Sequence, residues 1–122
     1  MNALVIFAAE PHQMATFYAA VLSGTVANSS EHPLTVQGPN CSVTILNMSG
    51  SSDNDGDVLS AREEVALKPV FEVGDIDVAL RAVENWGGVI TERSFEYEGS
   101  DFVDVLDPEG NVVQLRSCTP AP

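Results

Sequence analysis

The sequence predicts an α+β protein made of two βαβββ modules, and three observations carry that prediction. The first is the stretch Asp107-Pro-Glu-Gly-Asn-Val-Val-Gln-Leu115, a polar turn that runs straight into an alternating, β-rich strand. The second is a pair of helical patterns, each preceded by a short apolar run. The third is an internal repeat. Gly38-Pro-Asn-Cys-Ser-Val-Thr-Ile-Leu46 matches the closing stretch at Pro39/Pro108, Val43/Val112 and Leu46/Leu115, a shift of 69.

Taken in order, Ala3–Phe7 is an apolar run suited to a buried strand. Glu10-Pro11 opens a helix, with proline tolerated in the first turn. Met14, Phe17, Tyr18, Val21 and Leu22 then recur on one helical face. Tyr18 is expected to pack with its hydroxyl at the surface. Ser23-Gly24 stops the helix, with Gly24 as its cap. Thr25–Asn28, Leu34–Gln37 and Ser42–Met48 complete the first module, about residues 1–50. Ser49–Asp57 is polar and loop-like, and a linker over about 51–64 follows from it. Its Asp53, Asp55 and Asp57 imitate a calcium loop, but the glutamate such a loop needs six residues after Gly56 is replaced by Arg62.

The second module, about residues 65–119, repeats the plan. Leu67–Val73 is a strand and Asp75 a natural helix N-cap. Ile76, Ala79, Leu80, Val83 and Trp86 form an apolar helical stripe, which places Trp86 in the core. Gly87-Gly88 ends that helix. Val89–Thr91, Phe102–Leu106 and Asn111–Arg116 are the remaining strands, with a longer loop expected at about Ser94–Ser100. Pro108 presets one turn position, and Gly110 removes the cost of a positive φ. The strand and helix of the two modules align at shifts of 64 to 65, through Ala3/Lys68, Val5/Val70, Gly24/Gly88 and Val26/Ile90.

The chain's 122 residues suit a single domain. Five Lys+Arg against 18 Asp+Glu give a net charge of −13, which argues against nucleic acid and anionic membranes as partners. The charge is uneven. Residues 1–50 carry only Glu10 and Glu31, while all five bases and the other acids lie beyond. No run approaches the ~20 apolar residues that span a bilayer. Two cysteines, Cys41 and Cys118, lie far apart without a paired motif, so reduced thiols and a cytoplasmic location are expected.

Phe17-Tyr-Ala-Ala-Val-Leu22, Phe71-Glu-Val-Gly-Asp-Ile-Asp77 and Asp107–Leu115, in this order inside a doubled βαβββ pattern, resemble the vicinal oxygen chelate superfamily. That is the glyoxalase I, bleomycin-resistance and extradiol dioxygenase group, and the likeness covers nearly the whole chain. It implies curled mixed sheets around a cleft, helices on the outer faces, and a homodimer. In metal-dependent members one residue on the first and one on the last strand of each module holds a divalent ion. Carried across, those positions fall on Ala3, Ile45, Lys68 and Gln114, of which only Gln114 offers a donor. The expectation is therefore no cofactor and no metal.

Strand alternation in this register points Ala3, Val5, Phe7, Val43, Ile45 and Asn47 into the cleft, with Lys68, Val70, Glu72, Val112, Gln114 and Arg116. Phe7, Asn47, Lys68, Glu72, Gln114 and Arg116 are the candidate ligand-binding residues. Lys68 and Arg116 suit an anionic or carbonyl group and Glu72 a cationic end, unless they simply pair with one another. The resemblance to bleomycin-resistance proteins implies a small-molecule ligand, cationic or aromatic, bound without chemistry. The alternatives are a lyase, isomerase or dioxygenase of the glyoxalase type acting through Lys68 and Glu72, and a non-catalytic interaction module. Asp101 and Asp104, near Glu96 and Glu98, read as an acidic rim. His12 and His32 read as exposed or capping residues rather than ligands.

Overall fold

Alternating apolar residues resolve into two four-stranded sheets, each covered on one side by one helix. The computed structural model describes residues 2–27, 34–47 and 66–118. The expected linker at 51–64, the Asp53–Asp57 run and His32 lie outside the described residues. The elements are β1 (Asn2–Ala8), α1 (Pro11–Leu22), β2 (Thr25–Ala27), β3 (Leu34–Gln37), β4 (Cys41–Asn47), β5 (Val70–Glu72), α2 (Ile76–Asn85), β6 (Val89–Tyr97), β7 (Ser100–Leu106) and β8 (Val112–Cys118). The sheets run β1-β4-β3-β2 and β5-β8-β7-β6. Each pairs its first and last strands in parallel and is otherwise antiparallel, so both sheets are mixed. The α+β class and the doubled βαβββ plan are as the sequence predicts.

The core lies between sheets and helices. Helix α1 buries Met14, Ala15, Phe17, Tyr18, Val21 and Leu22 against Leu34, Val36, Val43 and Ile45. Helix α2 adds Ala79 and Val83, and Phe71, Val105, Val113 and Leu115 come from the second sheet. Full burial of one such side chain is worth about 1.5–3 kcal/mol, so this apolar cluster dominates the fold's stability. Trp86 is an exception to the predicted stripe. It is the C-cap residue of α2 and stands half exposed rather than in the core.

The two helices start differently. The Asp75 carboxylate accepts hydrogen bonds from the amides of Asp77 and Val78, the expected N-cap of α2. Helix α1 has Pro11 in its first turn and no cap from its own N-terminal residue, Glu10. Its anion arrives from the other module. The buried Glu109 carboxylate accepts from the amides of Ala9 (2.9 Å) and Glu10 (2.8 Å), favourable charge at a helix N-terminus.

The turn that carries Glu109 is itself anchored. Gly110, at φ 86°, donates to the Asp107 carbonyl, closing the tight turn predicted there. The Asp107 carboxylate, almost fully buried, accepts from the amides of Glu109 and Asn111, from the Asn111 side chain, and from Tyr18 Oη at 2.7 Å. Tyr18 is thus buried at both ends, and its hydroxyl is not at the surface as its neighbours in sequence suggest. Its ring meets Phe17 edge-on and tilts toward Phe71 of the second module.

Burial first, then the Asp107 charge, the hydrogen bond to it and the Glu109 charge push the Tyr18 pKa well above 10. The folded state therefore keeps Tyr18 protonated where the unfolded chain would ionise it. Its contribution is full below about pH 10 and is lost as pH rises beyond, with a slope of up to about 1.4 kcal/mol per pH unit. Urea unfolding from pH 8 to 11 is expected to show a shallower alkaline loss in Tyr18→Phe than in the parent. Parallel curves would contradict this.

Two helix ends differ in which residue turns left-handed. After α1 it is Ser23 (φ 56°), not Gly24 as the sequence suggests. Gly24 is required for space instead: a Cβ there would stand 2.4 Å from the Gln37 carbonyl oxygen. In the second module Gly87 takes the positive φ and Gly88 the close contact, 2.5 Å from the Leu106 carbonyl oxygen.

The longer loop expected at Ser94–Ser100 is instead strand. β6 continues to Tyr97, and a two-residue turn at Glu98 (φ 52°) and Gly99 (φ 81°) leads into β7. The ladder slips register between Ile90 and Ser94, and Thr91 fills the slip by donating to the Asp104 carbonyl. Beyond Thr91, where the predicted strand stops, β6 is an exposed edge strand, and Glu92-Arg93-Ser94 interrupt its apolar pattern.

Candidate functional site

Among the described residues each sheet has one face on a helix and one face without a helix, and register decides which residues share that second face. In the first sheet Val5 pairs with Thr44 and Phe7 with Leu46, while Leu4 pairs with Val43 and Ile6 with Ile45. Val43 and Ile45 are wholly buried in the core, so they do not face the cleft. Ser42, Thr44 and Leu46 do. The predicted shift of 69 was set by the two proline turns. In strand pairing the equivalence is 70, so Thr44, not Ile45, stands where Gln114 stands in the second sheet. Asn47 lies beside Ala8, on the ladder positions facing α1 and apart from Phe7.

The second sheet keeps the predicted faces. Val70, Gln114 and Asp104 form one row across β5, β8 and β7, and Glu72, Arg116, Phe102 and Phe95 form the next. Lys68, Glu72, Gln114 and Arg116 therefore share one helix-free face.

At its centre is a residue the sequence reading assigned to the rim. The Asp104 side chain is only 4% exposed. Lys68 Nζ donates to its Oδ2 at 2.8 Å, and Gln114 Nε2 donates to its Oδ1 at 3.0 Å. One signal was present in sequence: a lone acid between valines in an apolar strand is a candidate buried carboxylate, and such groups require partners.

Beside this network the face is apolar and open. Val5, Phe7, Leu67 and Val70 are all more than half exposed. β1 and β5 are edge strands of separate sheets with no shared ladder, and residues of β1 and of the β5 segment line common grooves, which makes a seam. A groove of about 360 Å³ lies at one end, lined by Val5, Phe7, Tyr18, Leu67, Pro69 and Val112. A second groove of about 330 Å³, with Ala3, Cys41, Val70 and Glu72, lies at the other. Cys41 is a free thiol whose pKa is raised by burial, so it remains protonated near neutrality. Another hollow, about 640 Å³, lies between the C-terminal end of α1 and the start of α2, with Glu72 in its lining. Its carboxylates include Asp75, which caps α2.

Two βαβββ modules meeting at an open seam, with a mixed apolar and charged floor, define a paired-module α+β protein of the vicinal oxygen chelate fold. The chain belongs to the glyoxalase-like domain family, whose model matches residues 3–116.

In structure it is similar to a glyoxalase/bleomycin resistance protein/dioxygenase family enzyme from Burkholderia phytofirmans PsJN, with 14% identity and a TM-score of 0.70. That match covers 96% of this chain and 97% of the other. A glyoxalase/bleomycin resistance protein from Albidiferax ferrireducens T118 is similar at 13% identity and a TM-score of 0.70, with 98% of each chain covered. The fosfomycin resistance protein FosX from Mesorhizobium loti is similar at 15% identity and a TM-score of 0.65, over 98% of this chain and 91% of that one. At such identities the likeness shows the fold. No curated protein matches the chain.

The residues at the positions that hold a metal in metal-dependent members do not fit a cation. Ala3 has no donor atom, and Thr44 offers only a hydroxyl. Lys68 carries an ammonium into the place a divalent ion would need, and it and the Gln114 amide nitrogen are engaged with Asp104. A hard or borderline cation takes imidazole and carboxylate ligands. The Asp104 carboxylate on this face is already paired with the lysine.

Proposed function

We propose that this protein is a metal-independent small-molecule binder that holds an amphipathic, charged or aromatic compound at the seam between its two modules. In this reading it sequesters the ligand without transforming it, in a homodimer whose second copy closes over the helix-free face. The observation that carries it is the Lys68–Asp104–Gln114 network. It closes the polar centre of the floor internally and leaves the exposed apolar residues beside it for a ligand. Grooves with apolar walls and few polar groups are the usual form of small-molecule sites. The charge of −13 favours the approach of cationic compounds, while the floor presents both signs, Arg116 beside Glu72. A catalytic role through Lys68 is disfavoured because its ammonium is held by Asp104.

Thermal unfolding of metal-stripped protein, titrated with nickel, zinc, manganese and iron(II), tests the reading. The midpoint is expected to stay fixed. A ligand that binds only the folded state stabilises it by about 2.7 kcal/mol at a hundredfold excess over Kd. A saturable rise with one metal would therefore overturn metal independence. Sedimentation of the same sample tests the dimer, and a monomer at micromolar concentration would remove it.

A further inference from the structure

We infer that Arg116 is the headgroup-recognising residue of this site and that it selects a planar oxyanion, the carboxylate of an aromatic acid. The inference rests on the small-molecule reading above and gives the ligand a chemical class. Two charged pairs share the helix-free face, and they differ in how far each is satisfied. Lys68–Asp104 is short, at 2.8 Å, and its carboxylate is buried and also bonded by Gln114. It is closed to a further partner. Arg116–Glu72 is long, at 3.8 Å, with both side chains nearly half exposed. A loose, solvated pair of that kind contributes little and is readily exchanged. The buried Arg116 Nε has no hydrogen-bond partner among the described residues, while the side chain is 43% exposed, so the outer N–H groups are the donors a ligand can reach.

The guanidinium is nevertheless held in place. It lies over the Phe102 ring, 5.7 Å from the centroid, and Phe102 stacks on Phe95 at 4.8 Å and 11°. Glu72, Arg116, Phe102 and Phe95 thus stand in one row across all four strands of the second sheet. Stacking fixes the plane of an arginine fork, and a fixed fork matches the two oxygens of a carboxylate. Phe95, at the β6 end of the row, is more than half exposed. With Phe102 it offers a flat apolar body a place next to the charge. The Glu72 carboxylate opposes an anion here, so it tunes the site against simple inorganic anions and weakens their binding.

Isothermal titration of the full chain at ~0.15 M salt, where long-range repulsion is largely screened, tests this with three probes that share one ring system. They are naphthalene-2-carboxylate, naphthalene-2-carboxamide and 2-naphthylmethylammonium. The carboxylate is expected to bind most tightly. Arg116→Met should weaken it about tenfold or more and leave the carboxamide unchanged, while Arg116→Lys should restore only part of the loss. Glu72→Gln should tighten the carboxylate severalfold, a readout that survives if the Arg116 variants fold poorly. Tighter binding of the ammonium probe, or a carboxylate affinity indifferent to residues 116 and 72, overturns the inference while the small-molecule reading stands. Binding of none of the three probes overturns both.

Discussion

Replacing Asp107 with alanine is expected to destabilise the protein by about 3–5 kcal/mol, the range for a buried charged group stripped from its partners. Asp107 accepts from two backbone amides, the Asn111 side chain and the Tyr18 hydroxyl, and it is 2% exposed. Alanine would leave four donors without an acceptor in a dry environment, among them a phenol inside the core. Asp107→Asn keeps the shape but turns an N–H₂ toward other donors, and about half the loss is expected. Urea unfolding of both variants against the parent measures the effect. A loss under about 1 kcal/mol for the alanine variant would mean that the turn is not the joint between modules.

Gly88→Ala ranks second, with an expected loss of about 3 kcal/mol from overpacking. The added methyl would stand 2.5 Å from the Leu106 carbonyl oxygen, 2.6 Å from Phe17 Cε1 and 2.9 Å from Val83 Cγ1. A carbonyl oxygen in a strand cannot rotate away, so the helix or the strand must shift. The backbone at Gly88 is not left-handed, which isolates the steric effect from conformational preference. Gly74→Ala is the control. Nothing lies within 4 Å of its added methyl, and a change near zero or a gain of a few tenths of a kcal/mol is expected from the stiffer unfolded chain. Equal losses at the two positions would refute the packing account.

What could be read from the sequence depended on whether a residue's partners were near in the chain. Helix α1, the β3 and β4 strands and the β7–β8 hairpin announce themselves through periodicity and turn residues, and they stand where expected within a residue or two. β6 shows itself only over Val89–Thr91, because Glu92-Arg93-Ser94 break the apolar pattern before the strand continues to Tyr97. The sequence points the wrong face of β4 into the cleft because its repeat aligns on Pro39 and Pro108, one residue out of step with the strand ladders. A slip of one inverts every side chain, which is why Ile45 moved from cleft to core. Glu72, Gln114 and Arg116 share one face as simple alternation gives it, and Lys68 reaches that face through Asp104. Asp104 and Tyr18 do not follow from it. Their roles come from Lys68, 36 residues away, and Asp107, 89 residues away, and no local pattern encodes such a meeting.

The link from Glu109 to the amides of Ala9 and Glu10 also bears on how the chain acquires its structure. It joins groups 100 and 99 residues apart. While the protein is being synthesised, the first helix therefore lacks its anion until the chain has been made through the closing hairpin. Contacts of such sequence separation close late and slow the search, placing a protein of this topology toward the millisecond-to-second end of two-state folding. Substitutions at Glu109 should accordingly accelerate unfolding far more than they retard refolding, so this carboxylate governs how long the native state persists rather than how quickly it is reached.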